Sequence, residues 1–182
     1  MKKLVVLMLV VGMASLASAA LSISLDPVGG TTIDASTTNV TIDVTGSGAF
    51  PSDSVYFQLS SDAGVITGGA VGPDAPSASA IYGTTYPGFP GTPAGQDGPY
   101  GSLSNTATTD VPKAGTFLTG FDLDLSALTL AGGDTIELSF ATSADFATSA
   151  GVFTQTLTVA TVPEPMTMAL LGLGGLFLRR KK

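Results

Sequence analysis

The chain has 182 residues, 44% of them hydrophobic, and a formal net charge of −7, with no His, no Cys and no Trp. Without Cys or His there is no disulfide framework, no thiolate nucleophile, no imidazole base and no donor set for zinc, haem or an iron–sulfur cluster. The length leaves room for one domain once the ends are set aside, and the acidity excludes a nucleic-acid partner, because phosphate binding needs clustered Lys and Arg.

Met1–Ala20 has the order of a secretory signal. Lys2 and Lys3 form a charged start, Leu4–Met13 an apolar core, and Ala17-Ser18-Ala19 a small-residue cleavage site. The predicted signal peptide is 1–19, cut after Ala19, with Ala20 the neighbouring choice. Signal peptidase is the partner this segment requires.

Residues 20–161 then read as one secreted domain. The stretch 20–162 holds thirteen acids (twelve Asp plus Glu137) against Lys113 alone, a formal charge of −12. Leu21, Ile23 and Leu25 alternate with Ser; Val40, Ile42 and Val44 alternate with Thr and Asp; Val55, Phe57 and Leu59 follow. Phe121, Leu123 and Leu125 resume the pattern, then Ile136, Leu138 and Phe140, and finally Phe153, Leu157 and Val159. A period of two over short runs marks strands with one buried and one wet face. Turn-rich stretches separate them, such as Asp26-Pro27-Val28-Gly29-Gly30 and Ala131-Gly132-Gly133-Asp134. Strands of this kind bury their apolar faces by stacking two sheets or closing a barrel, and stacking is the commoner answer, so the predicted fold is all-β, an antiparallel β-sandwich. Ala144–Ala150 is the one place with the composition for a helical turn.

Residues 68–102 break the alternation. Rich in Gly, Pro, Ala and Ser, they carry Tyr82, Tyr86, Phe89 and Tyr100, and read as one long loop that either wraps the sandwich or stays mobile. Aromatics on such a loop either stack on sugar rings or pin the loop to its own domain, and pinning is the commoner outcome.

The carboxylates offer little chemistry. Asp122 and Asp124 form a D-x-D pair, yet on a strand both point away from Phe121, Leu123 and Leu125, into solvent. Asp62, Asp97 and Asp134 on loops leave weak calcium binding open, without an EF-hand or nonapeptide repeat to support it. Asn39-Val40-Thr41 fits a glycosylation sequon that carries little weight on its own. No catalytic, cofactor or metal residue emerges.

The other end is more specific. Val162-Pro163-Glu164-Pro165 precedes thirteen uncharged residues, Met166–Leu178, and Arg179-Arg180-Lys181-Lys182 follows. As a helix, 166–178 would be roughly 20 Å long at 1.5 Å per residue, short for a bilayer core of about 30 Å. Snorkelling of the terminal Arg and Lys compensates, and the basic cluster holds the C-terminus in the cytoplasm. This order of Pro163-Glu164-Pro165, a short Gly/Leu/Ala-rich span and a terminal basic run resembles the PEP-CTERM sorting signal over 162–182. The resemblance implies processing by exosortase, a membrane anchor at 166–178 that is transient in the inner membrane, and delivery to the cell surface or an extracellular matrix. Exopolysaccharide or matrix proteins are the partners it suggests.

Two other stretches, Thr116–Leu125 with Gly133–Phe140 and the opening Leu21–Pro27, resemble strands of cohesin-like sandwiches. That likeness implies jelly-roll or immunoglobulin-like topology and protein–protein adhesion and transfers no binding residue. The favoured reading is a non-enzymatic structural or adhesive module of the cell surface or matrix. The alternative is a carbohydrate-binding or carbohydrate-cleaving sandwich using acidic residues and loop aromatics, weakened by the absence of Trp.

Overall fold

The computed structural model describes residues 21–50, 54–106 and 111–162. Strands there are β1 (Ser22–Pro27), β2 (Thr32–Ile33), β3 (Asn39–Phe50), β4 (Val55–Ser61) and β5 (Val65–Val71). They continue with β6 (Ala80–Gly83), β7 (Tyr100–Leu103), β8 (Val111–Asp124), β9 (Thr135–Ser143) and β10 (Ser149–Val159). One sheet has the order β1-β3-β8-β5 and the other β2-β10-β9-β4-β7-β6. The result is the all-β sandwich that alternation predicts.

Each predicted run turns its apolar members inward. In β1, Ile23 and Leu25 are buried while Ser22, Ser24 and Asp26 are exposed. Ile42 and Val44 of β3, Phe121 and Leu123 of β8, and Leu138 and Phe140 of β9 meet in one core with Phe57 and Leu59 of β4. Phe57 stacks on Phe140 with ring centroids 5.2 Å apart. Burying side chains of this size contributes about 1.5–3 kcal/mol each, the main force joining the sheets.

Three features depart from the sequence expectation. First, the sandwich is not wholly antiparallel: β2 runs parallel to β10, with Thr32 opposite Thr158 and Ile33 opposite Val159. Alternation reports which face a residue occupies and is silent on strand direction. Second, β8 carries a bulge, because Ile42 faces Phe121 but Val44 faces Leu118. The extra residue sits beside Gly120 at φ 71°, and a second register shift follows, with Val44 opposite Leu118 but Thr45 opposite Thr116. Together they let the adjacent Phe117 and Leu118 both be buried. Asp43 fastens the bulge, accepting hydrogen bonds from Gly120 N at 2.9 Å and Thr119 Oγ1 at 2.6 Å.

Third, residues 68–102 are not one long loop. They include the end of β5, all of β6 and most of β7. Of the two remaining connections, 72–79 and 84–99, the second lies over the outer face of the six-stranded sheet, which explains why β4 buries Gln58 and Ser60 as well as Phe57 and Leu59. Ala144–Ala150 forms no helical turn; it is a bend from β9 into the start of β10.

Candidate functional site

Ala19, Ala20, the span 166–178, Pro163-Glu164-Pro165 and Arg179-Arg180-Lys181-Lys182 all lie outside the described residues. What the structure places is the domain they flank.

The loop aromatics gather into one cluster. Tyr86 lies 6.0 Å from Phe89 edge-on and 5.2 Å from Tyr100, and Tyr82 is 6.1 Å from Tyr100. Two rings not singled out in the sequence complete it. Tyr56 of β4 lies 3.9 Å from Phe146, which also contacts Tyr86 at 5.1 Å and Phe89 at 5.8 Å. Tyr56 has the opposite phase to the core residue Phe57, and that phase was the available clue. Phe146 is the only aromatic in the Ala/Ser/Asp stretch after β9, and it holds φ 60°.

Beneath the rings, buried Gln58 ties the loop to β4. Its Nε2 donates to Tyr86 O at 3.0 Å and Gly98 O at 3.1 Å, and its Oε1 accepts from Thr92 Oγ1 at 2.9 Å. Phe89 is 2% exposed and Tyr82 51% exposed. Most of the aromatic surface is therefore spent on the loop's own packing, with Tyr82 at its margin.

The carboxylates are dispersed among local donors. Asp122 accepts from Thr41 Oγ1 at 3.0 Å, and Asp124 from Ser126 N at 2.8 Å. The Ser126 hydroxyl and then its N–H hold the Asp124 carboxyl below its ordinary value. Asp62 accepts from Glu137 N, and Asp134 from Ala131 N, both at 2.8 Å. Asp97 is exposed on the loop over β4, and Asn39 is exposed at the start of β3. Among the described residues no three acidic side chains converge as a metal site would need.

The exit of the chain is well defined. Val159 N donates to Asp134 O and Ala160 N to Ile33 O, each at 2.8 Å. The last strand is thus held on both sides until two residues before Val162, where the tail begins.

These features define a class: an all-β sandwich whose final strand leads within three residues to the segment after Val162. Residues 161–182 match the PEP-CTERM protein-sorting motif, which implies processing by exosortase and sorting to the cell surface through a membrane-anchored step. The match begins one residue before the stretch read from the sequence. A search among curated proteins found no match. Among solved structures the chain is similar to the sixth cohesin of scaffoldin B from Acetivibrio cellulolyticus, solved with a dockerin. That pair has 17% identity and a TM-score of 0.46, covering 76% of this chain and 98% of the cohesin. It is also similar to AggA, the major subunit of an aggregative adherence fimbria of Escherichia coli. There the identity is 12% and the TM-score 0.35, covering 80% of this chain and 98% of that one.

Proposed function

We propose that this is a cell-surface or extracellular-matrix protein whose sandwich has a structural or adhesive, non-enzymatic role. The observation that carries the reading is the sorting motif at 161–182, which starts two residues after the last strand. In this reading 1–19 is removed on export, 166–178 anchors the chain in the inner membrane for a time, and exosortase releases it near Pro165. A passive role is supported by Asp62, Asp122, Asp124 and Asp134, whose carboxylates accept from local N–H and O–H donors, and by a sequence without His or Cys. Exopolysaccharide or matrix proteins are the partners proposed for the released domain.

Intact mass spectrometry of surface material tests the sorting half. Chains should end near Pro165, and replacing Pro163-Glu164-Pro165 by Ala should leave the protein in the membrane fraction. Wild-type protein that keeps Met166–Lys182 at the surface would overturn it. For the domain, an array of glycans and matrix proteins probed with purified residues 20–162 identifies the partner; turnover of a glycan would contradict the non-enzymatic role.

A further inference from the structure

The chain leaves the sandwich along a fixed path. Beyond the Ala160–Ile33 hydrogen bond, Gly132 lies so close to the backbone that a methyl group there would stand 2.9 Å from Thr161 Cα. Pro163 follows two residues later, so even fully extended it lies within about 7 Å of Thr161, and Pro165 within about 14 Å. An enzyme that grips those prolines works within that distance of the surface around Thr161.

Strand register shows what that surface is. Pro27, Ser61, Asp124, Thr135 and Val159 all fall at the same end of the two sheets. The turns there expose Val28 (62%), Val65 (62%) and Leu128 (39%), and Val162 is 77% exposed at the exit itself. These are four of the seven exposed large hydrophobics among the described residues. Two open depressions occupy the same end: one of about 300 Å³ beside Val28 and Ile33, the other of about 480 Å³ beside Leu128 and Leu130. Asp34 lines the first and Asp134 the second, and Asp62 and Asp124 lie at the same end of the sheets. Isolated surface valines need no explanation, but a group at the end where a membrane tail departs does.

We propose that this end of the sandwich is a docking surface for the enzyme that processes the tail, so that the sorting enzyme reads the folded domain together with Pro163-Glu164-Pro165. The proposal rests on the sorting reading above. The occupant is an integral-membrane protein face with an apolar centre and a basic margin, complementary to the valines, Leu128 and the surrounding carboxylates. The short reach from Thr161 brings an enzyme acting on the folded chain close to this end, and the acidic rim disfavours an anionic bilayer as the occupant instead.

The test uses the full chain in a producing cell, following conversion of precursor to tail-less protein by pulse-chase. Val28→Lys with Leu128→Lys should slow conversion about tenfold, the scale of losing a central interface contact. Tyr82→Lys with Val152→Lys, away from the exit, should leave it unchanged. Inserting about ten Gly/Ser residues after Thr161, up to roughly 35 Å of added reach, should make the Val28/Leu128 variant and its parent convert at equal rates. Melting temperatures of the released domains check folding, and the milder pair Val28→Ser with Leu128→Ser replaces the Lys pair if those fall. Wild-type conversion rates in the Val28/Leu128 variants, while Ala at 163–165 blocks processing, overturn the docking surface and leave the sorting reading intact. Slowing that persists with the inserted linker points to the bilayer or a second copy and also overturns it. Normal processing of the Ala-substituted motif removes the sorting reading and the proposal together.

Discussion

Asp26 in β1 and Asp43 in β3 stand directly opposite each other in the register of the four-stranded sheet. Two carboxylates so placed repel, and the surrounding side chains answer with donors. Ser24 and Thr45 donate their hydroxyls to Asp26, while Thr119 and Gly120 donate to Asp43. The pair is the local form of a general condition, since 20–162 carries thirteen acids against Lys113 alone.

Screening should therefore stabilise the domain. Surface charges farther apart than about 8–10 Å become largely independent in ordinary salt, so the melting temperature of residues 20–162 is expected to rise with sodium chloride. Asp26→Asn should add about 0.2–1 kcal/mol in low salt, with the gain shrinking as salt is added. Calcium at matched ionic strength should do no more than sodium, because among the described residues the carboxylates do not converge. Melting curves insensitive to sodium chloride would refute the repulsion argument.

Gln58 governs the covering loop. Gln58→Leu keeps the volume but strips donors from two carbonyls and the acceptor from Thr92. The expected loss is about 2–4 kcal/mol in urea unfolding, together with new protease cleavage within 84–99. A variant as stable and as resistant as wild type would mean the loop is held by its rings alone.

Most of the sandwich was legible because its outward residues are Ser, Thr and Asp. Ile23 and Leu25, or Leu138 and Phe140, therefore stand out against their neighbours. The illegible parts break that contrast for physical reasons. Gln58, Ser60, Ser139 and Ser143 look like solvent-facing residues, yet all are buried: the connection 84–99 lies over Gln58 and Ser60, and the bend after β9 caps Ser143. β6 and β7 hide in a Gly/Pro-rich stretch, where Gly101 is needed because a Cβ there would meet Ala80 O at 2.1 Å. The paired Phe117-Leu118 blurs the period because a bulge, invisible to periodicity, turns both inward. Four members of the aromatic cluster were legible by type; Tyr56 and Phe146 join it only through the meeting of β4 with the bend after β9. The sorting tail was legible from the order of Pro163-Glu164-Pro165, an uncharged span and a basic run, and the motif match at 161–182 bears that out.

Phe146 holds a left-handed backbone conformation that costs a side-chain-bearing residue roughly 1–2 kcal/mol, offset here by its rings. Phe146→Ala should lose the contacts with Tyr56 and Tyr86 and keep the strain. Phe146→Gly loses the same contacts but relieves the strain, so it should be the more stable of the two by about 1 kcal/mol. Equal stabilities of the two variants in urea would show that the conformation carries no strain.

The bend that presents Phe146 is closed by Asp145, and this sets a pH dependence. Asp145 Oδ1 accepts from Ala147 N and Thr148 N, both at 2.9 Å. The Ala147 N–H most of all, then that of Thr148, holds the carboxyl below its ordinary value. A carboxyl whose folded value is depressed stabilises the fold in its ionised form. Its contribution is complete above the unfolded value of about 3.9 and fades as pH falls through the lower folded value. Asp145→Asn keeps an acceptor oxygen but cannot ionise. Wild type should therefore be the more stable at neutral pH, and the difference should close once the pH drops below about 4. Urea midpoints of both proteins, measured from about pH 7 to about pH 2, follow that closure. A gap that stays constant to the acid end would place the contribution of Asp145 in geometry and not in its charge. A gap that widens on acidification would reverse the sign of the argument.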